Sequence, residues 1–164
     1  MITDYDLGSV QPADLCLLSK AKSVSEQVWV CGYYTKRVDE NHAVSHEIYD
    51  VFLGKSVPID PNTLCRCTGL IDKKGKLIWE FDVCARRGYW YPEVVLQFAG
   101  NWTLDYSHAC GKNPHSDYAN LGFYVCERGS VEVVASLFDR IGSVSLGLQW
   151  FRDPKFFQGF SRQV

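Results

Sequence analysis

The stretch VPIDPNTLCRCTGLIDKKGKLIWEFDVC, Val57 to Cys84, decides the reading of this chain. Pro58 and Pro61 fix backbone torsions, and Asp60 and Asn62 beside them offer side-chain caps, so the segment opens as a turn. From Leu64 to Ile71 the residues are β-compatible, with Gly69 marking a bulge or close backbone approach. Asp72, Lys73, Lys74 and Gly75 form a polar turn in which Gly75 can take a positive φ at no steric cost. The return strand is expected over Lys76 to Val83, where Leu77, Trp79, Phe81 and Val83 alternate with Lys76, Ile78, Glu80 and Asp82. This is the period-two pattern of a half-buried strand.

The same hairpin carries a family resemblance. Thr68, Gly69, Leu70, Asp72, Gly75, Ile78, Trp79, Glu80, Asp82 and Val83 follow one another as they do in the signature of the YopX family of phage and prophage proteins, which this stretch resembles. The sequence departs from the signature at Phe81, where that family normally has glycine; the kink expected before Asp82 is then flattened or shifted. The resemblance implies a largely β fold and a viral origin, with no activity attached. It also implies a structural role for the Glu80 and Asp82 carboxylates, Asp82 accepting backbone hydrogen bonds in the turn beyond the strand.

Outward from the hairpin, Gln27 to Thr35 reads as a central strand and Ala43 to Leu53 as its antiparallel partner. Glu93 to Phe98 and Trp102 to Tyr106 form a second hairpin around Gly100-Asn101, and Leu121 to Cys126 with Val131 to Phe138 a further strand pair, the latter segment being open to a helical reading. A late strand is expected over Ser143 to Phe151. Near the start, Pro12 suits a first helical turn and Leu15, Leu18 and Ala21 would share a helical stripe. The expected architecture is mainly β, a small antiparallel β-barrel or rolled sheet of SH3-like kind with a short N-terminal helix. One domain spanning 1–164 is expected, with 1–26 and 140–164 as peripheral extensions.

The 164 residues suffice to bury a core without disulfides. Seventeen basic against 19 acidic residues give a formal charge of −2, which argues against indiscriminate attraction to nucleic acid. The seven cysteines are odd in number and scattered, and no secretory leader pattern appears; reduced thiols in the cytoplasm of a bacterial host are expected. For the same reason the sequon at Asn101-Trp102-Thr103 carries no consequence, and no apolar run is long enough for a membrane helix.

Three surfaces stand out chemically. Lys73, Lys74 and Lys76 at the hairpin tip, with Arg86, Arg87, Tyr89, Trp90 and Tyr91 in the following loop, combine cations and rings as a nucleotide or single-stranded nucleic acid requires. Turn lysines are more often a solvated face, and aromatics in β proteins more often core. Phe156, Phe157 and Phe160 form an apolar cluster that needs packing or a partner. His108, Cys110 and His115 are weak candidates for zinc or thiol chemistry, because neither their spacing nor that of Cys65 and Cys67 matches a diagnostic knuckle. Neither a nucleophile elbow nor a phosphate-binding glycine loop appears.

The expectation is a non-catalytic, phage- or prophage-encoded accessory protein without a cofactor. It binds a host or viral protein or self-associates, and modulates host machinery or defence. The alternative is nucleotide or single-stranded nucleic-acid binding through Arg86 to Tyr91, and the third reading is a Cys/His-dependent enzyme.

Overall fold

The computed structural model describes residues 12–113 and 115–139. The late strand expected at Ser143 to Phe151 and the candidates Phe156, Phe157 and Phe160 lie outside the described residues. The chain divides into two compact units, Met1–Gly69 and Leu70–Val164.

The first unit begins with a 3-10 helix, Pro12–Leu17, and continues through β1 (Ser19–Lys22), β2 (Trp29–Val38), β3 (Val44–Asp50), β4 (Lys55–Pro58) and the start of β5 (Cys65–Ile71). The expected helical stripe of Leu15, Leu18 and Ala21 is corrected here. Helix ends by Leu17, and Ala21 lies in β1, where Ser19 to Lys22 pair with Gly32 to Trp29 and the β1 start also pairs with β5. Residues 19–22, expected within a peripheral extension, therefore form an interior strand. The hydrogen-bonded order is β4-β3-β2-β1-β5, and every measured pair in it is antiparallel.

The β2–β3 hairpin forms as its alternation predicts, pairing Gly32 with Asp50 through to Val38 with Val44. At Gly32 a Cβ would meet the Tyr49 carbonyl oxygen at 1.9 Å, so only glycine fits this crossing of strands. Ala21, Val30, Ile48, Ile59 and Leu64 pack as the core of this unit, with Tyr34 and Val57 against them. The Pro-rich lead-in is a 3-10 turn, Pro61–Thr63, which Asp60 caps by accepting from the Asn62 N–H.

In the second unit β6 (Leu77–Trp79) follows β5 in the hydrogen-bonded order. A separate five-stranded sheet contains β7 (Asp82–Arg86), β8 (Glu93–Phe98), β9 (Asn101–Asp105), β10 (Tyr118–Asn120) and β11 (Val131–Ser136) in the order β10-β9-β8-β7-β11. Mainly antiparallel β structure is thus present as expected, but among the described residues neither sheet closes into the barrel that is one form of the expectation; each is open, with two distinct edge strands. Ile78, Cys84, Val95, Leu104, Leu121 and Val131 are fully buried together in the second unit. Leu121 to Cys126, read as a strand, instead opens a π-helix at Phe123–Glu127 after the Asn120 side-chain carbonyl captures the Phe123 N–H at 2.8 Å. Val131 onward is the strand of the two.

The signature hairpin shows how a local pattern yields to a turn. Gly69 and Gly75 have φ of 74° and 84°, as a bulge and a tight turn require. Buried Asp72 holds that turn: Oδ1 accepts from the N–H groups of Lys74 (2.8 Å) and Lys76 (2.9 Å), and Oδ2 from Val133 of β11 (2.9 Å). The return strand is not continuous from Lys76 to Val83. It breaks at Glu80-Phe81, and the kink stays in place because Phe81 itself adopts φ 63°. Asp82 accepts from the Trp79 N–H at 2.9 Å across this kink, and the backbone of Phe81 bonds to Val95 and Leu137. Asp82 thus accepts a backbone hydrogen bond, but in the turn preceding its own strand rather than beyond it.

A left-handed conformation costs a residue with a Cβ about 1–2 kcal/mol. The Phe81 ring offsets this by being buried, edge-on to Phe138 at 5.5 Å. Removing a large aromatic from a core costs about 3–5 kcal/mol. Phe81→Gly is therefore expected to destabilise the protein by about 2 kcal/mol, the lost burial outweighing the relieved strain. A urea unfolding series checks this, and a higher midpoint for the glycine variant would show that strain dominates.

Candidate functional site

The loop between β7 and β8 is set by the residues at its two ends. Cys84 lies opposite Glu93, so Glu93 and Arg86, two residues beyond Cys84, share one face of the sheet. Arg86 Nε donates to Glu93 Oε2 at 2.9 Å and Nη2 donates to Oε1, a two-point fork. The guanidinium is 3% exposed by residue and Glu93 not at all. Two rings cover the cation, Tyr89 at 3.6 Å and Tyr124 at 3.9 Å from Arg86 Cζ to the ring centroids. Tyr124 comes from the π-helix, so that helix completes the box. Burial raises the Glu93 pKa, while the hydrogen bond and charge of Arg86 pull the other way.

Outside this box the chain bends through Gly88, whose φ is 91°. The Tyr89 N–H donates to the Arg86 carbonyl at 3.1 Å and that of Arg87 to the Ser130 carbonyl at 3.3 Å. Tyr91 packs edge-on to Tyr89 (5.7 Å) and to Trp90 (5.4 Å), and tilts against Tyr106 (5.5 Å). Trp90 projects from this support with 86% of its surface exposed, beside half-exposed Tyr89 and exposed Arg87.

Arg86, Tyr89 and Tyr91 are thus brought together, but Arg86 faces inward and is saturated on one edge by Glu93. It does not present its charge to solvent. Lys73 and Lys74 are held elsewhere. Lys73 Nζ lies 2.7 Å from Glu132 Oε2, and Lys74 Nζ donates to Oε1 of the same carboxylate. Lys76 is exposed, and its backbone N–H serves Asp72. The residues of the family-like string are built into turns and core. Ile78 is fully buried, Thr68, Trp79, Glu80 and Asp82 are buried, and Leu70 packs on the second unit's core.

His108 lies in a 3-10 turn, Ser107–Cys110, hydrogen-bonded to the backbone of Pro92; burial lowers its pKa, so the neutral imidazole is favoured at neutral pH. Cys110 is exposed. His115 stacks on Phe98 at 4.7 Å, its Nδ1 3.7 Å from Asp105 Oδ2. Among the described residues no three His, Cys, Asp or Glu side chains gather in a metal-holding group. Cys65 and Cys67 are both buried, Cys65 donating to the Thr63 carbonyl and Cys67 accepting from Gly69 N–H. Among the described residues no helix is long and apolar enough to cross a membrane.

Glu93 and Tyr124 are the site residues that the sequence reading missed. A glutamate opening the apolar run EVVLQF was a legible signal, since a charge entering a buried strand demands a partner. Tyr124 carried none, because its position depends on a π-helix that the strand-like composition of its segment concealed.

Two consequences are measurable. Removing one partner of a buried ion pair strands the other, so Arg86→Met should cost about 3–5 kcal/mol in urea unfolding, and the double change Arg86→Met with Glu93→Leu should recover most of it. Equal losses in the single and double variants would show that packing of the guanidinium on Tyr89 and Tyr124 matters more than its charge. Hydrogen bonds from Lys73 and then Lys74 lower the Glu132 pKa from 4.5 to about 2. A depressed carboxylate stabilises the fold above its unfolded pKa and ceases to do so as pH falls through its folded one. The stability gap between the native protein and Glu132→Gln should thus be full at neutral pH, shrink below pH 4.5 and vanish near pH 2; a gap independent of pH would exclude the ionised pairing.

The chain matches no model of a known protein family and no curated protein, so its likeness to the YopX family stands on the residues of the Thr68 to Val83 stretch.

Proposed function

We propose that this protein is a non-catalytic binding module, a phage- or prophage-encoded accessory protein that engages a host or viral protein in the bacterial cytoplasm through the β7–β8 tip. The observation that carries the reading is Trp90, 86% exposed on a support of tyrosines packed edge to face. Tryptophan, tyrosine and arginine are the residues enriched at the energetic centres of protein interfaces. A ring already held in place loses little conformational freedom on binding, so its burial goes into affinity. The matching partner has an apolar pocket for the indole, rimmed by acidic groups facing Arg87.

The nucleic-acid reading retains Trp90, Tyr89, Arg87 and exposed Lys76, but Arg86 is withdrawn to Glu93, and Lys73 and Lys74 share the one carboxylate of Glu132. That reduces the charge available to phosphate beside the rings.

A photo-crosslinking residue at position 90, with one at exposed Lys55 as control, should capture a partner in host cells at 90 only. With the partner purified, Trp90→Ala should weaken binding by about 30-fold or more, the scale of an interface hot spot. Undiminished binding would refute the reading. Capture of a second copy of this chain would replace it with self-association, and salt-sensitive oligonucleotide binding lost in Arg87→Ala would favour the nucleic-acid alternative.

A further inference from the structure

On the open edge of the second sheet, away from the Arg86 box in sequence, β8, β9 and β10 shape a shallow cleft lined by Phe98, Ala99, Asn101, Thr103, Tyr118 and Asn120. The register accounts for the grouping: Phe98 lies opposite Asn101, Asn120 opposite Thr103, and Tyr118 opposite Asp105, so residues two apart on three adjacent strands share a face. Phe98 and Tyr118 meet edge to face at 5.1 Å and form two walls of a corner, both partly exposed. The turn that sets Phe98 beside Asn101 is held with Ala99 at φ 48° and Gly100 at φ 81°, a left-handed pair that is costly at alanine. Strain of that kind collects where geometry is in use.

The polar groups in this corner are only partly occupied. Asn101 Nδ2 donates to the Ala99 carbonyl at 3.3 Å, while its Oδ1 has no partner among the described residues. Asn120 Oδ1 accepts from Phe123 N–H, which leaves its Nδ2 group to donate. One amide accepts and the other donates, beside Tyr118, and the lining itself holds no ionisable cation or carboxylate; His115 adjoins it, stacked on Phe98 at 4.7 Å. The acidic neighbour, Asp105, is 2% exposed and engaged by the backbone of Ser107 and His115. Lys112 is paired with Asp117 at 2.7 Å. The adjoining His115 has the Asp105 carboxylate 3.7 Å from its Nδ1, so phosphate or carboxylate would find no unopposed cation here. A neutral ring with polar groups on its edge and C–H groups on its face would satisfy each feature.

We infer that this cleft binds one pyranose ring of a neutral oligosaccharide, its C–H face on Tyr118, with Phe98, already stacked on His115, as the adjoining wall, and its hydroxyls bridging Asn101 and Asn120. The cleft volume of about 190 Å³ is below the ~300–1,000 Å³ of pockets that enclose a drug-sized ligand. Its open mouth lets the neighbouring sugar units run on along the surface. The inference is independent of the β7–β8 tip.

The test is a ¹⁵N chemical-shift titration of the full chain with maltotriose, chitotriose and mannotriose, with adenosine as the competing neutral-ring chemistry. At least one trisaccharide should give saturable shifts confined to residues 97–103 and 118–120, with a Kd of about 1 mM or tighter. Tyr118→Leu, which keeps an apolar side chain but removes the flat face, and Asn101→Ala, both at exposed positions, should each weaken that binding by about tenfold or more while leaving the rest of the spectrum intact. Absence of saturable shifts with all three sugars, shifts unchanged in both variants, or saturation by adenosine in their place would overturn the inference.

Discussion

A guanidinium and a carboxylate removed from water together are the constraint on which the second unit's surface depends. Desolvating either ion alone costs several kcal/mol, and the pair is tolerable only with good geometry and further partners. Arg86 and Glu93 meet that condition by a two-point fork and by two tyrosine faces, one from the adjoining loop and one from the π-helix. Covering the cation, whose Nη1 has no hydrogen-bond partner among the described residues, therefore fixes Tyr89, and Tyr89 in turn supports Tyr91 and the base of Trp90. The exposure of Trp90 follows from the burial of Arg86 four residues earlier. A charge the sequence offered to a ligand serves as the anchor of the surface that remains.

The same exchange of local for tertiary preference occurs at the signature hairpin. Phe81 takes a backbone conformation suited to glycine and is held there by the Val95 and Leu137 backbones and by burial of its ring against Phe138. Asp72 performs the complementary task with hydrogen bonds alone, its two oxygens tying the Lys73 to Gly75 turn to β11. Glu132 on β11 adds the charges of Lys73 and Lys74 to that junction. The hairpin tip is a structural seam, and two of its lysines share one carboxylate within the chain. On the proposed reading, binding therefore lies at the aromatic tip and in the cleft of β8 to β10 rather than at the cationic turn.

Those two surfaces differ in physical kind. At the β7–β8 tip a large ring projects from a rigid base, which suits insertion into a partner's pocket. At the β8–β10 cleft two rings and two amides face inward over a shallow floor, which suits a small neutral group. Each lies on strand ends and tight turns, where the backbone is fixed by the sheet and the side chains are left outside the core.

By itself the sequence determined the β class, the β2–β3, β5–β6 and β8–β9 reversals and the positive φ of Gly75. These features arise from period-two patterning, turn residues and steric limits acting over a few neighbours. Only the tertiary structure decided that β1 is an interior strand, that the sheets stay open and that FYVCE is a π-helix. It also decided that Arg86 turns inward while Trp90 turns out, and that Lys73 and Lys74 spend their charge on Glu132. The reason is that desolvation and pairing depend on residues from distant positions arriving together. Arg86 meets Tyr124, and Lys74 meets Glu132, only after the sheet has formed, and no local pattern records those meetings.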